Sequence, residues 1–396
     1  MVAWSKESSL INILYAGFLI FFCAPWVLTS NTPYQKLIIA FVWLPALVHV
    51  CCYSVRYKLL SRGGVCLYIF ASLWFSFVVL MHAQDVDDFR ELKMPFYIGL
   101  TLLGSFAVAQ ADIEKFKKLL LVSAVLGGFG AWASWVFFYL IEGQDWLSRH
   151  ATIGLWRVII PAAQAVGALM LLAVCLGLRE ASGPMLRISL VVALSGYCVF
   201  LIAGQARGVW LALCAALFLV VFLLRNRQAY ILLGVFVAVL LLVFFINGDI
   251  FLARGGSFRS ELWGKGVAYA ADNWLVGIGF EKIWMTVGSG GATETQHHPH
   301  NMFIDIAVRF GLVGLLSWLM LWGWAMARAY RFRYTDLGQA ALVLLVYSSI
   351  VVLTDGVAQW IKPNPGWFVT WLPLALAFAL GSDKGKCLSS DRAVIK

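Results

Sequence analysis

A chain of 396 residues that is 62% hydrophobic and only 13% charged lies far from soluble domains, which hold roughly 45–50% apolar and about 25% charged residues. Its mean hydropathy of +0.84 selects a polytopic, all-α membrane protein. The net charge of +10 is no nucleic-acid footprint, because the basic residues are scattered over many short loops, where they orient helices.

The N-terminal MVAWSKESSL has little of a cleavable signal's charged region and no small-residue cleavage site, so the first span is expected to stay as a helix. Apolar windows of about 20 residues then follow at 10–29, 36–55, 64–83, 94–111, 118–141, 158–178, 186–204, 208–224, 228–246, 301–327, 338–357 and 366–381. These windows predict about 12 transmembrane helices with both termini on one side. Turn-like breaks such as Ser30-Asn31-Thr32-Pro33, Ala181-Ser182-Gly183-Pro184 and Lys362-Pro363-Asn364-Pro365-Gly366 separate them. The expected organisation is helices one to nine over 1–246, a long loop over 247–300, helices ten to twelve over 301–381, and a tail over 382–396. The eight cysteines avoid the long loop, which argues against a disulfide scaffold or a cysteine zinc site.

Lysine and arginine orient the bundle. With the N-terminus inside, the cytoplasmic loops and tails hold 18 basic and 7 acidic residues, and the opposite side holds 12 and 13. Positive charge in short loops marks the cytoplasm, so the long loop is expected on the periplasmic or extracellular side. That loop gathers Arg254, Arg259, Glu261, Lys265, Asp272, Glu281, Lys282, Glu294 and half of the histidines. A bilayer protein keeps so many ionisable groups together only outside the hydrocarbon or at a site that uses them. The loop therefore reads as the active-site segment of a membrane enzyme.

On the outward face stand Arg90, Lys93, Arg149, Arg157, Arg207, Arg254, Arg259, Lys265, Lys282, Arg309 and Lys362, where topology does not call for positive charge. Single cations at such depths commonly snorkel to lipid headgroups. Arriving from several helices, they read together as an anion site, and arginine suits phosphate because its planar fork donates two hydrogen bonds at once. His300, beside Asn301 at the mouth of span ten, is placed to act as general base; the plainer alternative is an interfacial histidine that holds a helix end. The run His297-His298-Pro299-His300 invites a metal reading, but its spacing is not that of a helical zinc motif and no carboxylate adjoins it in sequence, so no metal and no cofactor are expected. Gly288-Ser289-Gly290-Gly291 lacks the Lys-Ser/Thr of a phosphate-cradling loop and reads as a hinge. Most of the 18 Trp, 28 Phe and 13 Tyr are interfacial or lipid-facing, with Trp263 and Trp274 in the loop as candidates for a sugar or lipid groove.

Three pieces recur in a fixed order: Gln205-Ala206-Arg207-Gly208 opening a span, Arg259-Ser260-Glu261-Leu262-Trp263 in the long loop, and His300-Asn301-Met302-Phe303-Ile304 closing it. With a long outward loop between spans nine and ten of twelve, they resemble the bacterial O-antigen ligase family and its polymerase and protein O-oligosaccharyltransferase relatives. The chain departs at Ala206, where the family often has Ser or Thr. The resemblance implies a GT-C-like fold and transfer of a glycan from an undecaprenyl-diphosphate carrier to a lipid A–core sugar. It implies that this takes place at the periplasmic face of the inner membrane, without metal and by an inverting route. On that reading His300, Arg259 and Arg207 are catalytic, and Arg90, Lys93, Arg157 and Asn301 bind substrate. The residue chemistry agrees: a leaving diphosphate needs positive charge where negative charge develops, and an acceptor hydroxyl needs a base.

Within the superfamily, polymerases tend to carry two substantial outward loops, whereas this chain pairs one long loop with a short second one at 142–157, which favours ligase. A lipid-linked substrate transporter would show ionisable residues near mid-span and interrupted spans in matched halves. Spans one to nine are nearly free of interior charge and no matching halves are evident.

Overall fold

The computed structural model describes residues 2–53, 63–83, 86–146, 148–180, 183–246, 258–280, 283–289, 292–356 and 359–381. The expected tail over 382–396, the loop's opening stretch 247–257 with Arg254, and Lys282 lie outside these residues. Eleven helices among the described residues are long and apolar enough to cross a membrane. They are α1 (Glu7–Trp26), α2 (Asn31–Tyr53), α3 (Gly63–His82), α4 (Asp88–Ala111), α5 (Ile113–Ile141), α6 (Ile159–Arg179), α7 (Pro184–Gly204), α8 (Arg207–Leu224) and α9 (Arg227–Ile246), then α11 (Met302–Arg331) and α12 (Asp336–Thr354). The long loop between α9 and α11 contributes a helix, α10 (Arg259–Asp272), and an antiparallel hairpin of β1 (Met285–Ser289) and β2 (Ala292–Gln296). The fold is thus all-α and polytopic.

Helix starts carry the expected chemistry. Asp112 accepts the Lys115 N–H at 2.9 Å ahead of α5, and Thr335 accepts the Gly338 N–H at 3.1 Å ahead of α12. The most enclosed crossing is α6, 83% buried, with α12 at 72% and α4 at 67%. These helices form the centre, and α9, 11% buried and packed mainly on α8, is the peripheral crossing. Its Val- and Leu-rich surface is what lipid contact requires.

Charged residues segregate by helix end. At one end Asp336 of α12 receives Arg179 of α6 at 2.6 Å and Lys117 of α5 at 3.0 Å. At the other end lie Arg149, Arg157, Gly204, His300 and Asp355. Every member of the first basic set was expected inside and every member of the second outside, so the fold preserves the partition that the charge asymmetry predicts.

The twelfth crossing differs from its sequence expectation. A continuous helix over 366–381 is predicted, but the regular helix, α13, runs only from Trp371 to Ala379, after a short turn at Pro365–Phe368. Nine residues rise about 14 Å, roughly half of a hydrocarbon core. The remaining depth is crossed by irregular chain from Gln359 to Thr370, where Pro363 and Pro365 cannot donate to a helical ladder. Indole groups satisfy part of the exposed backbone: Trp367 donates to the Ile361 carbonyl and Trp371 to that of Gln359, both at 2.9 Å. Irregular backbone at membrane depth is tolerated where it lines a cavity, and this stretch does.

A second irregularity lies in α11. Gly311 adopts φ +64°, breaking the helix, and any Cβ there would fall 2.2 Å from the Leu275 carbonyl oxygen. The loop segment after α10 runs alongside the break like a paired strand: Leu312 N–H bonds Trp274 O at 2.7 Å, Ile278 N–H bonds Val308 O at 3.0 Å, and Gly279 N–H bonds Arg309 O at 2.8 Å. The outward cap is therefore stitched to the membrane helix through its backbone. A small core of Leu262, Ile278, Ile283, Met285, Val287 and Val308 seals the joint.

Candidate active site

His300 is the last residue before the N-cap of α11 and sits at φ +52°, in the left-handed region where a side chain other than glycine's is uncommon. Such strain persists only when the surroundings enforce it, and it collects at functional positions. Three side chains enforce it here. Asp355, just past the end of α12, approaches His300 Nδ1 through Oδ1 at 2.7 Å. Gln296, at the end of β2, places its side-chain Oε1 3.2 Å from His300 Nε2. His298 accepts the His300 backbone N–H through Nδ1 at 3.3 Å, with ring centroids 4.0 Å apart.

The pairing with Asp355 sets the chemistry. A carboxylate facing Nδ1 requires a proton on that nitrogen, which leaves Nε2 as the basic atom of a neutral ring. The Asp355 side chain is only 10% exposed and that of His300 24% exposed. Asp355 is itself held in place: Gln164 of α6 donates to its backbone carbonyl at 2.8 Å, and Tyr347 of α12 donates to the Gln164 carbonyl at 2.9 Å. Burial, and after it the neighbouring His300, lower the pKa of the His298 ring from the ordinary histidine value. The neutral ring so favoured keeps the Nδ1 lone pair that receives the His300 N–H.

His300, Asp355 and His298 open into a cavity of about 730 Å³ that also receives Arg149 and Arg157 from the segment between α5 and α6. Its remaining lining is largely apolar, with Ile159, Ile160 and Pro161 on α6, Val352 on α12, and Pro365 and Val369 in the irregular stretch. The Arg149 Nε donates to the Gly204 carbonyl at 2.9 Å, just ahead of the α7–α8 turn. The site thus joins a held histidine, two guanidinium groups and an apolar trough in one space.

Of the residues expected to act, the cavity lining includes His300 and Arg157. Arg207 is half-buried at the first turn of α8, and the next residue, Gly208, packs on Thr354 so tightly that a Cβ would lie 2.4 Å from its hydroxyl. Arg207 therefore starts its helix beside Asp355 without lining the cavity. Arg259 opens α10, which packs on α11 through Gly266 against Pro299 and Ile304, and it also stands outside the lining. Arg90 and Lys93 are exposed in the opening turns of α4, with Lys93 and Lys362 near Glu91, and neither Arg90 nor Lys93 is in the lining.

Asn301, expected at substrate, holds the start of α11. Its side chain accepts the N–H groups of Phe303 and Ile304 at 3.0 and 3.2 Å and donates to Leu353 O at 3.3 Å, making it the cap of α11. Two members of the outward basic set are likewise engaged: Arg309 bonds the fully buried Asp305 at 3.1 Å, and Lys265 pairs with Glu261 at 2.9 Å.

Asp355 escapes a reading by neighbourhood because it lies 55 residues from His300. The signal that could have found it is an acid inside an apolar window, which marks function by default. It also supplies the carboxylate that the histidine run lacks in sequence: donor atoms of His298, His300 and Asp355 lie within 4.8 Å of one another, the group among the described residues that could hold a metal. His300 Nδ1 is bonded to Asp355, and His298 Nδ1 to a backbone N–H. A cation drawing on these nitrogens would have to break both contacts.

Two comparisons bear on this arrangement. A family model described as O-antigen ligase matches residues 168–319, a stretch holding Arg207, Arg259 and His300. A curated O-antigen ligase of Pseudomonas aeruginosa (strain PAO1) is 27% identical over 291 residues, covering 73% of this chain and 70% of that protein. Motif order, helical architecture and both matches agree, and the chain is thereby shown to resemble the O-antigen ligase family.

Proposed function

We propose that this protein is an O-antigen ligase, moving a glycan from an undecaprenyl-diphosphate carrier to a lipid A–core sugar at the periplasmic face of the inner membrane. The observation that carries the reading is the His300–Asp355 pair opening into a cavity shared with Arg149 and Arg157. His300 Nε2 takes the proton of the acceptor hydroxyl as its oxygen attacks the anomeric carbon from the face opposite the diphosphate. Asp355 holds the ring's tautomer and stabilises the imidazolium that forms. The bond from the anomeric carbon to the diphosphate oxygen breaks, and its electron pair leaves with the diphosphate, so the centre inverts.

Arg157 and Arg149 neutralise the departing diphosphate from within the cavity, with Arg207 and Arg259 contributing from its margin and Arg90 and Lys93 attracting the donor further out. The trough of Ile159, Ile160, Pro161 and Val352 suits the first isoprene units of the carrier. The outward loop over 247–300 brings the motifs to this face. A purified preparation in nanodiscs, given lipid-linked glycan and lipid A–core, is the test. Transfer by the parent protein that falls about 10²–10⁴-fold in His300→Ala, with carrier-lipid binding retained, is the expected result. Undiminished transfer by that variant refutes the mechanism, and extension of a second carrier-linked glycan in place of lipid A–core would make the protein a polymerase.

A further inference from the structure

We propose that Gln296 is a specificity-determining residue: it covers the proton-accepting nitrogen of His300 and yields it to a sugar hydroxyl in preference to water. The proposal rests on His300 being the base. Gln296 ends β2, is half-buried, and its side-chain amide lies 3.2 Å from His300 Nε2. Because Nδ1 faces Asp355 at 2.7 Å, Nε2 is the ring nitrogen left to take a substrate proton. The amide oxygen, Oε1, is the atom that faces Nε2 and it accepts from an imidazolium; turned over about its last torsion, the same amide donates an N–H to a neutral ring. In both states a nucleophile reaches Nε2 only by displacing Gln296.

The cover is presented from an ordered support. Gln296 pairs in register with Met285, which is 1% exposed in the small core beneath the hairpin, and His297 Nδ1 lies 3.1 Å from the Ile283 carbonyl oxygen one residue further on. The backbone of the cap is therefore held while the long, unbranched glutamine side chain can swing about its own torsions.

Two nucleophiles compete for the glycosyl group. With either one, the bond from the anomeric carbon to the diphosphate oxygen breaks and a bond to the incoming oxygen forms. The proton of that oxygen passes to Nε2 and the electron pair leaves with the diphosphate. Water would thereby release the glycan and waste the donor. A sugar acceptor brings the binding energy of its other contacts to the displacement of Gln296, whereas water brings none. The amide thus raises the barrier to hydrolysis more than the barrier to transfer.

The test measures both reactions. Protein in nanodiscs is supplied with undecaprenyl-diphosphate-linked glycan, and free glycan is quantified without acceptor and with lipid A–core added. In Gln296→Ala and Gln296→Leu the ratio of hydrolysis to transfer is expected to rise about three- to tenfold, the size of one net hydrogen bond. Diethyl pyrocarbonate is expected to modify His300 faster in both variants, read by mass spectrometry of the peptide, with thermal melts verifying that each is folded. An unchanged ratio and unchanged His300 reactivity, beside an inactive His300→Ala control, overturn the cover and leave the base intact. Full transfer by His300→Ala overturns the base itself.

Discussion

Replacing Asp355 by asparagine removes one charge and almost no volume, so it isolates what the carboxylate does for His300. The contact is 2.7 Å long and the Asp355 side chain is 10% exposed, which keeps solvent screening small. A hydrogen bond to a charged group in such a place is worth about 1.5–3 kcal/mol net, and at roughly 1.4 kcal/mol per decade its loss slows proton removal about 10- to 150-fold. Asparagine can also turn its NH₂ toward Nδ1, which moves the ring proton to Nε2 and silences the base, so the upper part of that range is expected. The effect belongs in kcat, because Asp355 supports a charge that appears only in the transition state. Single-turnover transfer of labelled glycan in nanodiscs, at saturating donor, separates kcat from binding. Asp355→Asn with kcat within twofold of the parent, beside a disabled His300→Ala, would refute the assigned role of the carboxylate.

Other outcomes follow from the same geometry. Arg157→Lys keeps the charge but loses the bidentate fork, so donor use should fall about tenfold; Arg207→Lys and Arg259→Lys should also be defective, and full activity in all three would reduce these arginines to headgroup anchors. Burial among Phe138, Tyr139 and Phe200 lowers the His150 pKa from 6.5 to about 4, and neither ring nitrogen has a hydrogen-bond partner among the described residues. Because the folded value is the lower one, the associated stability is fully present above pH 6.5 and is lost as pH falls towards about 4. His150→Phe should raise Tm and flatten that slope, and an unchanged slope would contradict the assignment. A cysteine at the exposed Thr295 should react with a membrane-impermeant reagent in intact spheroplasts, and labelling only after inner-membrane lysis would reverse the topology. Chelators should leave transfer unchanged, whereas loss with EDTA and recovery with zinc would turn His298, His300 and Asp355 into a metal site.

The crossings were legible because a membrane helix announces itself as an uninterrupted apolar run, and the expected orientation rests on Lys and Arg gathering at one set of ends. The twelfth crossing was only half legible: hydropathy marks depth but not regularity, and the break expected at 362–366 extends to Thr370, so that the first residues of the predicted helix form cavity wall. His300 could be singled out from its place at a loop–helix junction, since the chemistry sits on the residue itself. Its partners could not. Asp355 and Gln296 matter through proximity that arises only when α12 and the hairpin converge on one point. The arginines divided for a related reason: sequence assigns a guanidinium to a face of the membrane, while local contacts decide its occupation, as Asp305 does for Arg309. Asn301 followed the same logic, since an asparagine beside a helix start serves the helix first, worth about 1 kcal/mol as a cap.

The break at Gly311 constrains the order in which this protein can be made. Until the segment around Trp274–Gly279 lies beside it, the Val308 and Arg309 carbonyls and the Leu312 N–H at the interrupted turn in α11 lack the loop partners that they have in the fold. Inside a bilayer that deficit is costly enough to disfavour settling. The segment precedes α11 in the chain, so it emerges first and is available to the helix that it completes. α11 is thus completed from outside itself: with the loop segment in place its interrupted turn is paired, and without that segment the helix is left unfinished. Helix and preceding loop thereby become one folding unit, joined where a glycine lets the two backbones meet.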